Sequence, residues 1–207
     1  MSEILKKIHW LGHAGFLVKG SKVVYFDPFN IKGGPVADLI LVTHTHYDHF
    51  SPDDIKKISD SNTTLVISSD ANPDFPGKVI KLIPTDEVEV AGVSVKAVPA
   101  YNIDKQFHPK ANNWLGFLIT MDGETIYHTG DTDFIPEMEG IFADVSLIPV
   151  GGTFTMDAAE AANAVKAMKV KVALPMHWGE IVGDEADALK FKELVGDAAE
   201  VEIFKKM

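Results

Sequence analysis

Residues 38–50 read DLILVTHTHYDHF. The first six are a near-continuous apolar run, the pattern of a strand buried on both faces rather than one lying at a surface. Such a strand must be flanked in its own sheet and covered above and below. It runs directly into His44, His46, Asp48 and His49, which places a cluster of titratable groups at the end of a core strand.

The rest of the chain supplies the layers that this strand needs. Short strands are expected over 4–11, 14–19, 22–27, 63–69, 78–83, 144–150, 172–177 and 199–204. Two hairpins are expected, over 87–98 around Ala91-Gly92 and over 114–130 around Asp122-Gly123, the latter a strong two-residue turn signal. Residues 51–59 (SPDDIKKIS) predict a helix, with Ser51 as cap, Pro52 at the first helical position and Asp53 and Asp54 at the positive end of the dipole. Further helices are expected over 156–169 and 184–196. A weak internal echo links ADLILVTH, from Ala37, to ADVSLIPVGG, from Ala143. Two similar halves predict two sheets packed face to face with helices outside, a mixed α/β (α+β) four-layer αββα sandwich. No linker or low-complexity stretch divides residues 1–207, so one domain is expected.

The histidine-rich loop has a direct chemical reading. Alternate residues at a strand end share a face, so His44 and His46 can bind one metal ion. Asp48 and His49 follow at a turn, point elsewhere, and are placed to bind a second. Imidazole and carboxylate suit zinc, manganese or iron, and a chain without cysteine offers no thiolate, which fits a catalytic rather than a structural zinc site.

THTHYDH (43–49) resembles the H-x-H-x-D-H signature of the metallo-β-lactamase superfamily. The similarity extends to LGHAGFLV (11–18), FDPF (26–29), HTGDTDF (128–134) and PMHWGE (175–180). With IPVGGTFTMDAAEAA (148–162), these segments are most similar to the lactonase-like branch of metal-dependent hydrolases, which includes ascorbate-phosphate lactonases. The resemblance implies two divalent ions per chain, zinc first and manganese or iron as alternatives. It implies His44 and His46 as ligands of the first ion, Asp48, His49 and His177 as ligands of the second, and Asp131 as the carboxylate between them. It also implies a metal-activated hydroxide acting on a small-molecule lactone, ester or phosphodiester, with Asp48 as the residue that orients it or takes its proton.

One position departs from the family pattern. The branch carries a further first-ion histidine after a Pro-Ala pair, but here VPAYN (98–102) has Tyr101 and Asn102 instead. His108 is the histidine available in that stretch, and at this point His108, Asn102 or neither can complete the first site. If His108 does so, 101–113 is expected to act as a metal-dependent lid. His13 is expected to face substrate or to pack in a strand, and Asp27 to hold the metal loop by hydrogen bonds. His128 reads as a supporting residue and His9 as an ordinary strand residue. Tyr101, Phe154 and Trp178 read as pocket walls or as packing.

The formal charge of −11 and the absence of any basic run argue against a nucleic-acid partner. No apolar run approaches the roughly 18 residues of a membrane span, and the N-terminus has no signal-peptide core, so a cytoplasmic protein without a membrane partner is expected. The sequence leaves room for a homo-oligomer. Superfamily nucleases carry an inserted domain and a basic surface, and oxygen-reducing diiron relatives replace the second histidine of the motif with a carboxylate; this chain does neither. A non-catalytic metal-binding module on the same fold is the alternative reading.

Overall fold

The computed structural model describes residues 3–207. Two mixed sheets form the centre. The first holds β1 (Ile8–Gly12), β2 (Gly15–Lys19), β3 (Val23–Phe26), β4 (Leu39–Val42), β5 (Thr64–Ser68) and β6 (Lys78–Leu82), in that spatial order. The second holds β7 (Glu87–Val90), β8 (Val93–Pro99), β9 (Leu115–Met121), β10 (Glu124–His128), β11 (Phe142–Pro149), β12 (Lys169–Met176) and β13 (Glu200–Val201), again in chain order. Helix α1 (Pro52–Lys57) lies on the outer side of the first sheet, and α2 (Ala158–Ala167) and α3 (Glu185–Val195) lie on the outer side of the second. This is the expected αββα layering.

The β4 strand shows why the layers form. Leu39 and Leu41 point into the core between the sheets, while Ile40 and Val42 point into a second core with Ile55 and Ile58 around α1. All four are fully buried. Opposite them, β9 turns Leu115, Phe117, Ile119 and Met121 into the shared core and leaves Thr120 in solvent. The β9–β10 hairpin closes on Asp122 (φ 56°) and Gly123 (φ 79°), both left-handed, as a tight turn matching strand twist requires. Helix α1 is capped by the Ser51 side chain, and α2 by Asp157, which accepts from Ala159 and Glu160 N–H.

The internal echo corresponds to a repeated strand pattern. In both β1–β6 and β8–β13 the first two pairings are antiparallel and the last three parallel. Consequently β1, β3 and β4 end on one edge of their sheet, as do β8, β10, β11 and β12 of theirs.

Three element boundaries differ from the sequence expectation by three residues or more. Residues Glu3–Lys6 form a 3-10 turn rather than the start of β1, because Ile4 and Leu5 are both buried and an extended chain would turn one outward. Strand β12 begins at Lys169, not 172, since α2 ends directly into it. The closing strand is only Glu200–Val201; Ile203 and Phe204 pack against the core without ladder partners.

Core burial should dominate stability here. Phe117→Ala, at a fully buried β9 position, should cost about 3–5 kcal/mol. Thr120→Ala, three residues away and exposed, should stay within about 0.5 kcal/mol of wild type. Urea unfolding followed by circular dichroism checks this, and equal midpoints for the two variants would contradict the packing described.

Candidate metal centre

The six residues implied as ligands, and His108 with them, come together at one edge of the sandwich. His44 and His46 follow β4, His177 follows β12, and Asp131 follows β10. His13 sits in the β1–β2 turn and Asn102 just after β8. Each comes from the C-terminal end of a strand pointing the same way, so the two sheets deliver side chains to one cleft from opposite walls. Hydrogen bonds from Leu115 N to Thr43 O (3.1 Å) and from His177 N to His13 O (2.9 Å) tie the walls together.

Asp131 is the centre of the cluster. Its Oδ2 lies 3.0 Å from His177 Nε2, 3.3 Å from His49 Nε2 and 3.3 Å from His108 Nε2. Gly130 before it is left-handed (φ 67°), and a Cβ there would run into the Leu115 carbonyl. On one side, His44, His46 and His108 offer ring nitrogens within 4.8 Å of one another; on the other, ring nitrogens of His13, His49 and His177 and a carboxylate oxygen of Asp48 lie equally close.

The hydrogen-bond directions fix which nitrogens face inward. Buried Asp27 can only accept as a carboxylate. It takes Thr43 N–H (2.8 Å), Thr43 Oγ1–H (2.7 Å) and His49 Nδ1–H (2.8 Å). Thr43 has spent its one proton, so at 2.9 Å it accepts from His44 Nδ1–H. The Asn102 amide nitrogen donates to Asp133 Oδ1 (2.9 Å) and to Phe154 O (3.0 Å), so its oxygen accepts from His108 N–H (2.9 Å) and Nδ1–H (3.1 Å). Three different devices therefore leave the Nε2 lone pairs of His44, His49 and His108 bare and buried.

Those atoms are not otherwise satisfied. Among the described residues, eleven buried side-chain polar atoms have no partner, and seven of them belong to His13, His44, His49, His108, Asp131 and His177. A cluster of unpaired buried groups is costly unless something binds there. The electrostatics name its sign. Burial opposes ionisation of Asp131, yet the His177, His49 and His108 rings outweigh it and hold the carboxyl well below its usual range. Burial likewise works to lower His49, but the Asp131 and Asp27 carboxylates hold its pKa well above the ordinary imidazole value. Burial, with neighbouring His49, pushes His44 well down. Asp131 faces three imidazole rings, and a proton on one of them would satisfy only that ring. The donor set of imidazole and carboxylate fits divalent metal cations.

The remaining expectations can be placed. His13 Nε2 lies 3.0 Å from Asp48 Oδ2, so His13 holds Asp48 and also belongs to the second ligand group. Asn102 supports His108 and is turned away from the cluster. The 101–113 segment is closed by the Asn102–His108 bonds and by Lys105 on Asp133 (2.5 Å), so its position rests on protein contacts of its own. His128 has both nitrogens engaged, with Ala14 O (2.9 Å) and Gly130 N–H (3.2 Å), and stacks on Phe26. His9 is a β1 residue paired with Leu17. Trp178 stacks on Trp10 and is packing. Phe154 lines the cavity over the cluster, about 220 Å³, with Tyr47, Phe107 and Ile181. Tyr101 instead borders a larger cavity, about 560 Å³, along β8 and β9. None of the clustered histidines and aspartates lines that cavity, so the chemistry belongs to the smaller one.

Sequence reasoning passed over Thr43, Asp133 and Trp114. Trp114 packs against His44, His46 and His108 at centroid distances of 4.8, 4.7 and 5.6 Å, with its Nε1–H on Asp70 (2.9 Å). Only Thr43 gave a signal, as a hydroxyl directly before the first histidine.

Comparison with known proteins shows the family. The Beta-lactamase superfamily domain matches residues 7–177. A UPF0173 metal-dependent hydrolase of Pyrococcus abyssi is 38% identical over 218 aligned residues, covering 96% of each chain. One from Thermoplasma acidophilum is 39% identical, covering 92% of this chain and 91% of its own. A crystal structure from Parabacteroides distasonis superposes with a TM-score of 0.84 at 28% identity, covering 97% of this chain and 92% of that one. Igni18, a metallo hydrolase of Ignicoccus hospitalis, shares the fold (TM-score 0.79, 24% identity, 96% and 94% covered). Matched along nearly its whole length and carrying the complete histidine and aspartate cluster at the expected edge of the sandwich, the chain belongs to the metallo-β-lactamase superfamily and, within it, to the UPF0173 family of metal-dependent hydrolases.

Proposed function

We propose that this hydrolase works with two divalent ions, zinc first, and cleaves a small-molecule ester, lactone or phosphodiester with water as the nucleophile. The observation that supports this reading is the convergence of the otherwise unpartnered Nε2 atoms of His49, His108 and His177 on the Asp131 carboxylate. His44, His46 and His108 would hold one ion, Asp48, His49 and His177 the other, with Asp131 shared. Such an ion pair lowers the pKa of bound water toward neutrality and polarises the substrate oxygen.

The chain's own residues do the rest. Asp48 is half-buried at the cavity wall, held by His13 Nε2, and is the carboxylate placed to orient the attacking water and to take its proton. Asp27 and Thr43 keep His49 and His44 in the tautomer that points Nε2 inward, and Asn102 does so for His108. The fold itself excludes bulk water from the cluster, since His44, His49, His108, Asp131 and His177 are all buried.

Elemental analysis of protein purified without chelator should find about two transition-metal ions per chain, and their removal should abolish turnover that added zinc restores. Consistent absence of metal after reconstitution would end the reading. Asp131→Ala should lower turnover by at least about 10²-fold, far more than Thr120→Ala, because it removes the one group shared by both sites. His108→Ala should weaken one ion selectively. Asn102→Ala should loosen the same ion by about 10–100-fold through His108 orientation. Competition titration with a chromophoric chelator resolves the two sites, and equal effects on both ions would contradict the assignment of His108.

A further inference from the structure

The walls of the metal cavity differ sharply from its floor. Beyond the histidine and aspartate cluster, the lining is Tyr47, Phe107, Phe154 and Ile181. Three of these are exposed despite being apolar: Tyr47 by 68%, Phe107 by 46% and Ile181 by 39%. Phe107 and Phe154 meet edge to face at 4.8 Å, and Tyr47 leans edge-on against Phe29 at 5.9 Å. The three exposed residues come from three separate loops, so no single element accounts for their exposure. An apolar collar around a buried polar centre reads as a surface waiting for an apolar group.

The lining contains no cation. The chain has no arginine at all; its 19 basic residues are lysines. Lysines near the collar are already engaged: Lys105 with Asp133 and Glu160, Lys110 with Glu137, Lys206 with Glu180. A phosphoryl or carboxylate group bound away from the metal ions would therefore meet aromatic rings, with no guanidinium fork or free ammonium to take its charge. The chain's net charge of −11 also disfavours approach of an anion.

We infer that the substrate is an uncharged ester or lactone bearing an aryl or alkyl group, and that Tyr47, Phe107, Phe154 and Ile181 select it over phosphodiesters and phosphorylated lactones. This rests on the hydrolase reading above and narrows it. In the reaction, the oxygen of water forms a bond to the acyl carbon and the bond from that carbon to the alkoxy oxygen breaks. One proton of water ends on the released hydroxyl group; the other is lost from the acid, leaving a carboxylate. The collar touches only the apolar group, so its residues govern binding more than turnover.

The test uses zinc-reconstituted full-length protein whose metal content has first been measured. Calorimetry compares benzohydroxamate with acetohydroxamate, neutral chelating probes that differ in the aryl group. The aryl probe should bind at least about tenfold more tightly, and Phe107→Ala should remove most of that difference with metal content intact. Tyr47→Ala, at the most exposed position, gives the same readout if Phe107→Ala fails to fold. In kinetics, 4-nitrophenyl butyrate should have a higher kcat/KM than bis(4-nitrophenyl) phosphate, and Phe107→Ala should raise KM for the ester more than it lowers kcat. Ile181→Lys, which adds a cation to the collar, should shift the preference toward the phosphate. Equal affinity for the two hydroxamates in metal-loaded protein, or a preference for the phosphodiester, overturns this proposal alone. Absence of metal overturns the hydrolase reading and the proposal together.

Discussion

The buried carboxylate of Asp27 is the constraint from which the first wall of the centre is built. It has no solvent exposure and sits at φ 39° just after β3, where the chain must turn before entering the next crossover. An isolated charge in that position would be very costly. Three donors offset the cost, and each is a piece of the site: the Thr43 amide, the Thr43 hydroxyl and the His49 ring. Because Thr43 gives its proton to Asp27, it can only accept from His44. One carboxylate thus sets the tautomer of two inward-facing histidines, one directly and one through a hydroxyl. The Thr43 carbonyl then receives Leu115 N–H from the other sheet, so the same loop also joins the two layers.

The second wall solves the same problem by separate means. Asn102 occupies the place where a related pattern would put a histidine, and it holds His108 by ring and backbone at once. Its own orientation is set by Asp133 and the Phe154 carbonyl. Lys105 binds that same aspartate, which links the loop carrying His108 to the loop after β10. The repeated order of pairings in the two sheets explains why two independent devices can converge. Each half turns the ends of its like-directed strands to one edge, and stacking the halves brings those edges together.

Legibility in the sequence followed from how local each signal was. DLILVT announced a strand buried on both faces, and Asp122-Gly123 announced a hairpin, because period and turn chemistry are properties of a few adjacent residues. The histidines and Asp48 were legible as a cluster, since strand alternation alone separates His44 and His46 from the turn that follows. The resemblance added Asp131 and His177. The choice between His108 and Asn102 could not be read, because it depends on an amide orientation set by Asp133, some thirty residues away in sequence. Trp114 was invisible as a site residue for the same reason: its partners, Asp70 and three histidines, come from other loops. The early start expected for β1 failed because Ile4 and Leu5 alternate poorly, and only their joint burial against the core shows that the chain coils there.

Backbone strain and loop exposure divide the centre into two regimes. His13, Asp27 and His177 all have positive φ, each costing on the order of 1 kcal/mol or more, and all three are buried and cross-linked at strand ends. Such positions persist only where surrounding contacts over-determine them, so the floor of the site is rigid and its chemistry is fixed by the sandwich. Tyr47, Phe107 and Ile181 lie on loops, exposed, with few constraints beyond ring contacts. A change there alters what fits without disturbing a tautomer or a ligand. The fold therefore separates the capacity to hydrolyse, which is written into buried strand ends, from the choice of what is hydrolysed, which is written into a few exposed apolar side chains.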